Sequence, residues 1–397
     1  MRLAHLADLH LGFRQYARQT PQGINQREAD VAGAFRRALD DVIAARPDLI
    51  IIAGDLFHQV RPSNVAILDS FNQFHRLRVA LPGVPVVLIA GNHDTPRSVE
   101  TGSILRLFEA IDGVHAVTHD PRRLTFADLG CSVLCVPHGA WYGDVRPSLV
   151  PDPGAALNIL VMHGELPGLF TKETPGVEFG GAQLDVDVLK QPGWDYVALG
   201  HHHVPMQVAD NAWYAGALEY VTVNVWGEAG ERGAANAPGR KGWLLVEPGR
   251  PATVTFRPIA AARRVIDLPA IHGTGLDAAA IDAEIAGRVA KVKGGIAGQV
   301  VRQLVWDVAR PTARDLDHAA IRALKTEALH YHLDLRRPDL MRVIGTGAPG
   351  RRQTVPELVQ AYLAERPLPP GVSRDRIQAL AAETLAAVEG ETEEPGD

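Results

Sequence analysis

The sequence predicts an α/β protein whose chemistry gathers along one edge of a sheet. Short runs of four or five Leu, Ile and Val residues recur, and such runs read as strands buried on both faces. A helical period separates the first two of them. Five of the runs end within two residues of a side chain able to bind a metal. Leu3–Ala7 leads to Asp8 and His10, and Leu49–Ala53 to Gly54-Asp55 and His58. Val86–Ala90 leads to Gly91-Asn92-His93-Asp94, Ile159–Met162 to His163, and Tyr196–Leu199 to Gly200-His201-His202-His203. Ligands in α/β proteins collect beyond the carboxyl ends of strands. Five strand ends of this kind on one edge make a single polar cluster.

The elements follow in order. Val31, Phe35, Leu39, Val42 and Ile43 share one side of a helix expected from Asn25 to Ala45, which Pro47 ends. Strand, helix and strand then favour parallel pairing. A second helix is expected from Ser63, a capping residue, to Arg78, and a third from Ser103 to Ile111. From Arg122 onward, short segments at Leu124–Ala127 and Ser132–Val136, broken by Gly, Pro and Asp, predict antiparallel pairing around the two later histidine strands. Trp213–Val225 and Gly242–Glu247 continue that pattern, with Gly227–Gly239 between them as a flexible loop.

A boundary falls near Ala260–Arg264. Beyond it come a strand at Val265–Leu268, a helix at Asp277–Val292, a strand at Gln299–Val308, a helix at Ala313–Lys325 and a strand at His330–Leu335. Gly345–Arg352 reads as a linker. Thr354 and Glu357 form a capping box, with Pro356 in the first helical turn. Ser373 caps a last helix, and the acidic tail from Glu389 is expected to be disordered. The divisions are therefore 1–262, 263–344, a linker at 345–353, terminal helices at 354–389 and a tail at 390–397.

A chain of 397 residues suggests two or three domains. Its 46% apolar and 22% charged residues are ordinary for a globular protein. A net charge of −6 gives no global basic field for nucleic acid, although a local basic surface would suffice. No apolar stretch reaches membrane-span length. The N-terminus enters a strand without the basic region and cleavage site of a secretory leader, so a cytoplasmic location is expected. Cys131 and Cys135 form a lone Cys-x3-Cys and read as two buried thiols.

Singly, each motif has an ordinary explanation. Asp-x-His arises by chance, Gly-Asp often makes a turn, Asn-His-Asp can cap a turn, and Gly-His-His-His can be a surface loop. The conjunction carries the signal. Two Asp, one Asn and at least four His, with no thiolate, suit Mn, Fe or Zn in an open catalytic site. That many ligands exceed one such ion and match two sharing a bridge.

The series Asp8-x-His10, Gly54-Asp55-x-x-His58, Gly91-Asn92-His93-Asp94, His163 and Gly200-His201-x-His203 resembles the signature of the calcineurin-type metallophosphoesterases. Its Gly-Asp-Leu-Phe-His form and the chain length resemble the SbcD-type nuclease subunits of bacterial double-strand-break repair complexes. The resemblance implies a four-layer α/β/β/α sandwich, a smaller α+β cap that helps bind DNA, and C-terminal helices. It implies two divalent ions, with Mn the expected metal. Asp8, His10 and His203 would hold the first and Asn92, His163 and His201 the second, with Asp55 bridging. His93 would act on the leaving 3′ oxygen, His58 would position the phosphate or His93, and Asp94 would support them. His202 is left outside the site.

The resemblance also implies partners. These are DNA, a coiled-coil ATPase of the SbcC type docked on the terminal helices, and a second copy across the Ser63–Arg78 and Ser103–Ile111 region. Exonuclease work in the 3′–5′ direction and endonuclease work on hairpins would follow, on the nucleoid. In the cap, Arg263, Arg264, Lys291, Lys293, Arg302, Arg336 and Arg337 are available to DNA. One departure is Tyr214-Ala215-Gly216-Ala217, where the family often has Tyr-Pro-Gly-Ser. Two other readings compete: a phosphodiesterase for small molecules or lipids, and a non-catalytic scaffold joining DNA to an ATPase.

Overall fold

Ile50 and Ile52 point to one side of their strand and Leu49 and Ile51 to the other, and all four are buried. That alternation explains the unbroken apolar runs, because both faces of the sheet are covered. The computed structural model describes residues 1–98, 102–141, 146–169, 181–185, 187, 193–230, 240–338, 355–365 and 373–391. The chain divides into two compact units, Met1–Arg337 and Pro338–Asp397.

In the first unit, β1 (Leu3–Leu6), β2 (Leu49–Ile52), β3 (Val86–Ile89) and β4 (Val114–Val117) run parallel. On the outer face lies α1 (Gln26–Ala45), which buries Val31, Phe35, Leu39 and Val42. Asn25 caps it, its side-chain oxygen accepting from the Arg27 N–H at 3.0 Å. Beside it is α2 (Asn64–Ala80), capped by Ser63 through the Ala66 N–H at 3.1 Å. The helix expected at Ser103–Ile111 is instead a 3-10 helix, Ile104–Ala110. Its buried anchors, Leu105 and Phe108, are three residues apart, which is the repeat of that tighter helix.

The second sheet faces the first. It comprises β5 (Arg122–Phe126), β6 (Cys131–Val136), β7 (Leu157–His163), β8 (Tyr196–Gly200), β9 (Met206–Ala209) and β10 (Ala212–Tyr214). Its centre corrects the antiparallel expectation: β6, β7, β8 and β10 are all parallel, and only β5 with β6 and β9 with β10 are antiparallel. Long connections lead into β7 and β8, as parallel crossovers require, whereas short turns join the antiparallel pairs. Leu3, Ile51, Val87 and Ile89 meet Val133, Ile159, Val161 and Ala198 between the sheets. Trp141, Leu149, Leu166, Leu184 and Trp194 cover the far face among the described residues. Cys131 and Cys135 are buried free thiols, and burial pushes both up to about 12.

The strand expected over Trp213–Val225 ends at Tyr214. It is followed by irregular chain and a short helix, α3 (Val225–Gly230). The first residues of the expected Gly227–Gly239 loop are therefore helical, and 231–239 lie outside the described residues. Next, β11 (Gly242–Glu247) and β12 (Thr253–Pro258) return to the first sheet beside β1, antiparallel.

A separate parallel sheet of β13 (Val265–His272), β14 (Val300–Trp306) and β15 (His330–Leu335) closes the first unit. It packs on α4 (Ala278–Ala290), α5 (Arg310–Arg314) and α6 (His318–Glu327). The single helix expected at Ala313–Lys325 is split in two. Asp317 interrupts it by accepting from the Ala319 and Ala320 N–H groups at 2.9 Å, which starts a new helix. This sheet is tied to the two larger sheets by Arg263, whose guanidinium grips the Asp30 carboxylate at 3.0 and 3.1 Å.

The second unit holds α7 (Val355–Glu365) and α8 (Arg374–Glu391), joined by a Gln360 amide donating to the Gln378 carbonyl at 3.0 Å. Glu389–Glu391, expected in the tail, belong to α8. The expected linker, Thr354 and 392–397 lie outside the described residues. No helix among the described residues is long and apolar enough to cross a membrane.

Candidate metal centre

The polar strand-end residues of both sheets meet at one edge. Asp8 and His10 follow β1, Asp55 follows β2, Asn92, His93 and Asp94 follow β3, His163 ends β7, and His201 and His203 follow β8. The backbone there is unusual. Asp8, His10, Asp55 and His201 have φ of 54°, 45°, 52° and 114°, in the region side-chain-bearing residues avoid. Such conformations persist where surrounding structure compels them, commonly at functional sites. Two glycines permit the approach. A Cβ on Gly91 would lie 2.1 Å from Asp55 Oδ1, and one on Gly200 would lie 1.9 Å from the Ala53 carbonyl oxygen.

His163 shows the character of the cluster. Its Nδ1 is 2.8 Å from the Ala53 carbonyl oxygen, which only accepts, so Nδ1 carries the proton. Nε2 of the neutral ring is then a bare lone pair. It lies 2.9 Å from Asn92 Oδ1 and 3.3 Å from Asp55 Oδ2. Asn92 Oδ1 also faces His201 Nδ1 at 3.1 Å. On the other side, His10 Nε2 is 3.1 Å from His203 Nε2 and 3.8 Å from Asp55 Oδ2. Asp55 thus stands between two groups of acceptors. The Asp8 carboxylate accepts from the His201 N–H at 2.9 and 3.1 Å.

Lone pairs that converge this closely call for a cation. The proton titrations carry the same message. Burial is the largest influence on His163 and opposes its charge, but Asp55, Asp8 and the Ala53 carbonyl together overcome it and lift His163 to about 9, so in the absence of a metal a second proton takes up the Nε2 lone pair. Burial also opposes the charge on Asp55, yet His163, His10 and His93 hold it well below the usual carboxylate range. For His10, burial prevails over Asp55 and pushes the ring well below its ordinary value. Asp8 with His10 and His203, and Asp8 with Asp55 and His163, each bring their ligand atoms within 4.8 Å of one another. This donor set fits divalent ions of the first transition row.

His93 and His58 flank the cluster. The His93 Nδ1 donates to the His58 carbonyl oxygen at 2.8 Å, and its backbone N–H donates to Asp55 Oδ1 at 2.9 Å. The rings of His10 and His93 are 4.8 Å apart, and His58 Nδ1 is 3.3 Å from His10 Nδ1. Asp94 is buried. Its carboxylate accepts from the Leu56, Phe57 and Gly91 N–H groups at 3.0, 3.0 and 3.2 Å, which binds the Asp55 loop to the Asn92 loop. Burial and then the Asp55 charge raise it to about 7. His202 packs edge-on against Tyr214 at 4.6 Å.

Several residues around the centre escaped the sequence reading. Lys241 donates to the His203 carbonyl at 2.9 Å and pairs with Glu228, and both side chains are fully buried. Glu228 also accepts from the Val221 and Thr222 N–H groups and the Thr222 hydroxyl. Glu165 lies 3.6 Å from His201 Nε2 and accepts from the Gly181 N–H. Their only sequence signal is a charge in an otherwise apolar or Gly-rich setting. In the departing segment, the Tyr214 hydroxyl donates to the Gly164 carbonyl at 2.8 Å, and the Ala217 N–H donates to the His203 carbonyl at 3.0 Å. Of the basic residues singled out in the small sheet, Arg263, Arg302 and Arg336 are paired with Asp30, Asp267 and Asp334.

Residues 1–205 match the family of calcineurin-like phosphoesterases, and the chain belongs to that family, which uses divalent metals. More particularly, it is similar to archaeal proteins named DNA double-strand break repair protein Mre11. It is 30% identical to that of Methanopyrus kandleri over 273 residues, covering 64% of this chain and 56% of that one. It is 36% identical to that of Methanococcus maripaludis over 118 residues, or 30% of each chain. With that of Haloferax volcanii it shares 30% over 253 residues, 62% of this chain and 49% of the other. The matched region spans about half or less of the length of these relatives.

Proposed function

We propose that this chain is a two-metal DNA nuclease, the SbcD-type subunit of a double-strand-break repair complex. The carrying observation is the convergence of acceptor atoms on both sides of Asp55, in a chain similar to the Mre11 proteins. Asp8, His10 and His203 would hold one ion and Asn92, His163 and His201 the other, with Asp55 shared by both. When bound, two divalent ions, of which Mn is our choice, polarise the phosphodiester and lower the barrier to attack by water. His93 donates the proton to the leaving 3′ oxygen, and the His58 carbonyl fixes the ring for that task. Asp94 keeps both loops in register.

In this reading 1–262 is the nuclease domain and 263–344 a DNA-binding cap. The helices of 354–389 follow a linker at 345–353, dock an SbcC-type ATPase, and precede a tail. The half-exposed Leu358 and Tyr362 of α7, and Leu380 of α8, support the docking. Leu68 on α2 and Leu107, both exposed, support a homodimer across the nuclease domain. The protein acts in the cytoplasm, on the nucleoid, as a 3′–5′ exonuclease and a hairpin endonuclease.

The test is cleavage of end-labelled duplex and hairpin DNA with and without Mn²⁺, beside hydrolysis of bis-p-nitrophenyl phosphate. Mn²⁺-dependent products shortened from the 3′ end are expected. Hydrolysis of the small diester with no DNA cleavage would overturn the nuclease reading and leave a phosphodiesterase.

A further inference from the structure

His201 is 2% exposed, and its two ring nitrogens face different surroundings. Nδ1 is turned to the metal centre, 3.1 Å from Asn92 Oδ1. Nε2 is buried with no hydrogen bond among the described residues, and it lies 3.6 Å from Glu165 Oε1. That separation is longer than a hydrogen bond, yet only a small side-chain movement away from one. A buried ring nitrogen facing a carboxylate calls for an explanation.

Glu165 is held firmly in this place. It stands two residues past His163, just beyond the end of β7. Its N–H donates to the Ala182 carbonyl at 2.8 Å, and its own carbonyl accepts from the Leu184 N–H at 2.7 Å. Oε1 accepts from the Gly181 N–H at 2.9 Å. Gly181 presses on both side chains: a Cβ there would lie 2.8 Å from His201 Cε1 and Nε2 and 3.3 Å from Glu165 Cγ. This frame sets a carboxylate oxygen opposite the ring nitrogen that faces away from the centre. Capping the Gly181 N–H needs no charge, since a glutamine oxygen would accept it too. A metal-bound histidine does gain from one, because a carboxylate behind the ring fixes its orientation and strengthens its donor nitrogen. The gain is largest in the second proposed ligand group. Asn92, His163 and His201 are neutral ligands, whereas the first group has the Asp8 carboxylate.

We infer that Glu165 is a positioning residue for the second ion, an inference that rests on the two-metal reading above. With Nδ1 offered to the ion, the neutral ring carries its proton on Nε2 and directs it at Glu165. The carboxylate holds that tautomer and the plane of the ring, and its charge offsets part of the ion's. His201 is anchored from its backbone as well, where its N–H donates to Asp8 at 2.9 Å. Asp8 thus fixes the His201 backbone while Glu165 fixes its ring.

The test titrates the full-length, metal-stripped protein with Mn²⁺ and reads the free ion by electron paramagnetic resonance. Wild type should show two sites. Glu165→Leu should weaken one of them by roughly ten- to a hundredfold and leave the other unchanged. Glu165→Gln keeps an oxygen for the Gly181 N–H and loses only the charge, so it should weaken the same site by less. Its metal-free melting temperature should not fall below that of wild type. A fall there would assign Glu165 to the fold instead. Two unchanged sites in both variants, or equal weakening of both sites, would overturn the inference. If Glu165→Leu does not fold, Glu165→Gln decides the question alone. A wild type with two sites and variants that match it sinks only the role of Glu165. A wild type that binds fewer than two Mn²⁺ sinks the two-metal reading as well.

Discussion

The Nδ1 of His93 lies 2.8 Å from the backbone carbonyl oxygen of His58. Because the carbonyl only accepts, the neutral ring keeps its proton on Nδ1, and proton donation must come from a doubly protonated ring through Nε2. His93→Ala is therefore expected to lower kcat on DNA by about 10²- to 10⁴-fold while still binding two Mn²⁺. His58→Ala, which keeps the carbonyl, should lose less. Cleavage by His93→Ala at the normal rate would remove His93 from the reaction.

Asp55 faces His163 Nε2 at 3.3 Å and His10 Nε2 at 3.8 Å through one oxygen, and accepts from the His93 N–H through the other. Asp55→Asn keeps the volume but removes the charge. Bound Mn²⁺ should fall from two ions towards none by elemental analysis. A variant that retains two ions contradicts the bridge.

Lys241 and Glu228 form a buried ion pair behind His203. Lys241→Met strands the Glu228 carboxylate and should destabilise the fold by about 3–5 kcal/mol in a denaturant titration. Adding Glu228→Gln should recover part of that loss. If the double variant is no more stable than Lys241→Met, the two are not coupled.

His5 is buried between the two sheets, with Nδ1 2.8 Å from the Tyr196 hydroxyl, and burial lowers it to about 3. The unfolded chain takes up this proton near the ordinary 6.5. Between those values the unfolded state binds more protons, so stability is lost as pH falls from about 6.5 towards 3, on the order of a few kcal/mol by the end. His5→Gln should flatten that limb of the stability–pH curve. An identical slope would show that other groups set it.

These residues also show what the sequence made readable. Strands buried on both faces announce themselves as unbroken apolar runs, and Leu49–Ile52 is such a strand. Residues just past strand ends have few places to go, which is why Asp8, Asp55 and His163 could be grouped without coordinates. The direction of β6, β7 and β8 was not readable, because a buried parallel strand and a buried antiparallel one share the same composition. Glu228 and Lys241 were hidden differently. Their roles depend on a fold-back that brings α3 against the His203 carbonyl, and the Gly- and Ala-rich stretch around Glu228 resembles an ordinary loop.

The division of the cluster between the sheets has a mechanical consequence. Asp8, His10, Asp55 and Asn92 extend from the first sheet, and His163, His201 and His203 from the second. Each proposed ligand set draws on both, so each ion would rivet one sheet to the other where the strands end. Binding and folding are then linked: an ion at a hundred times its Kd adds ~2.7 kcal/mol to the folded state. Chelation should lower the melting temperature of the sandwich as well as silence it, and metal supply would then help set the lifetime of the protein.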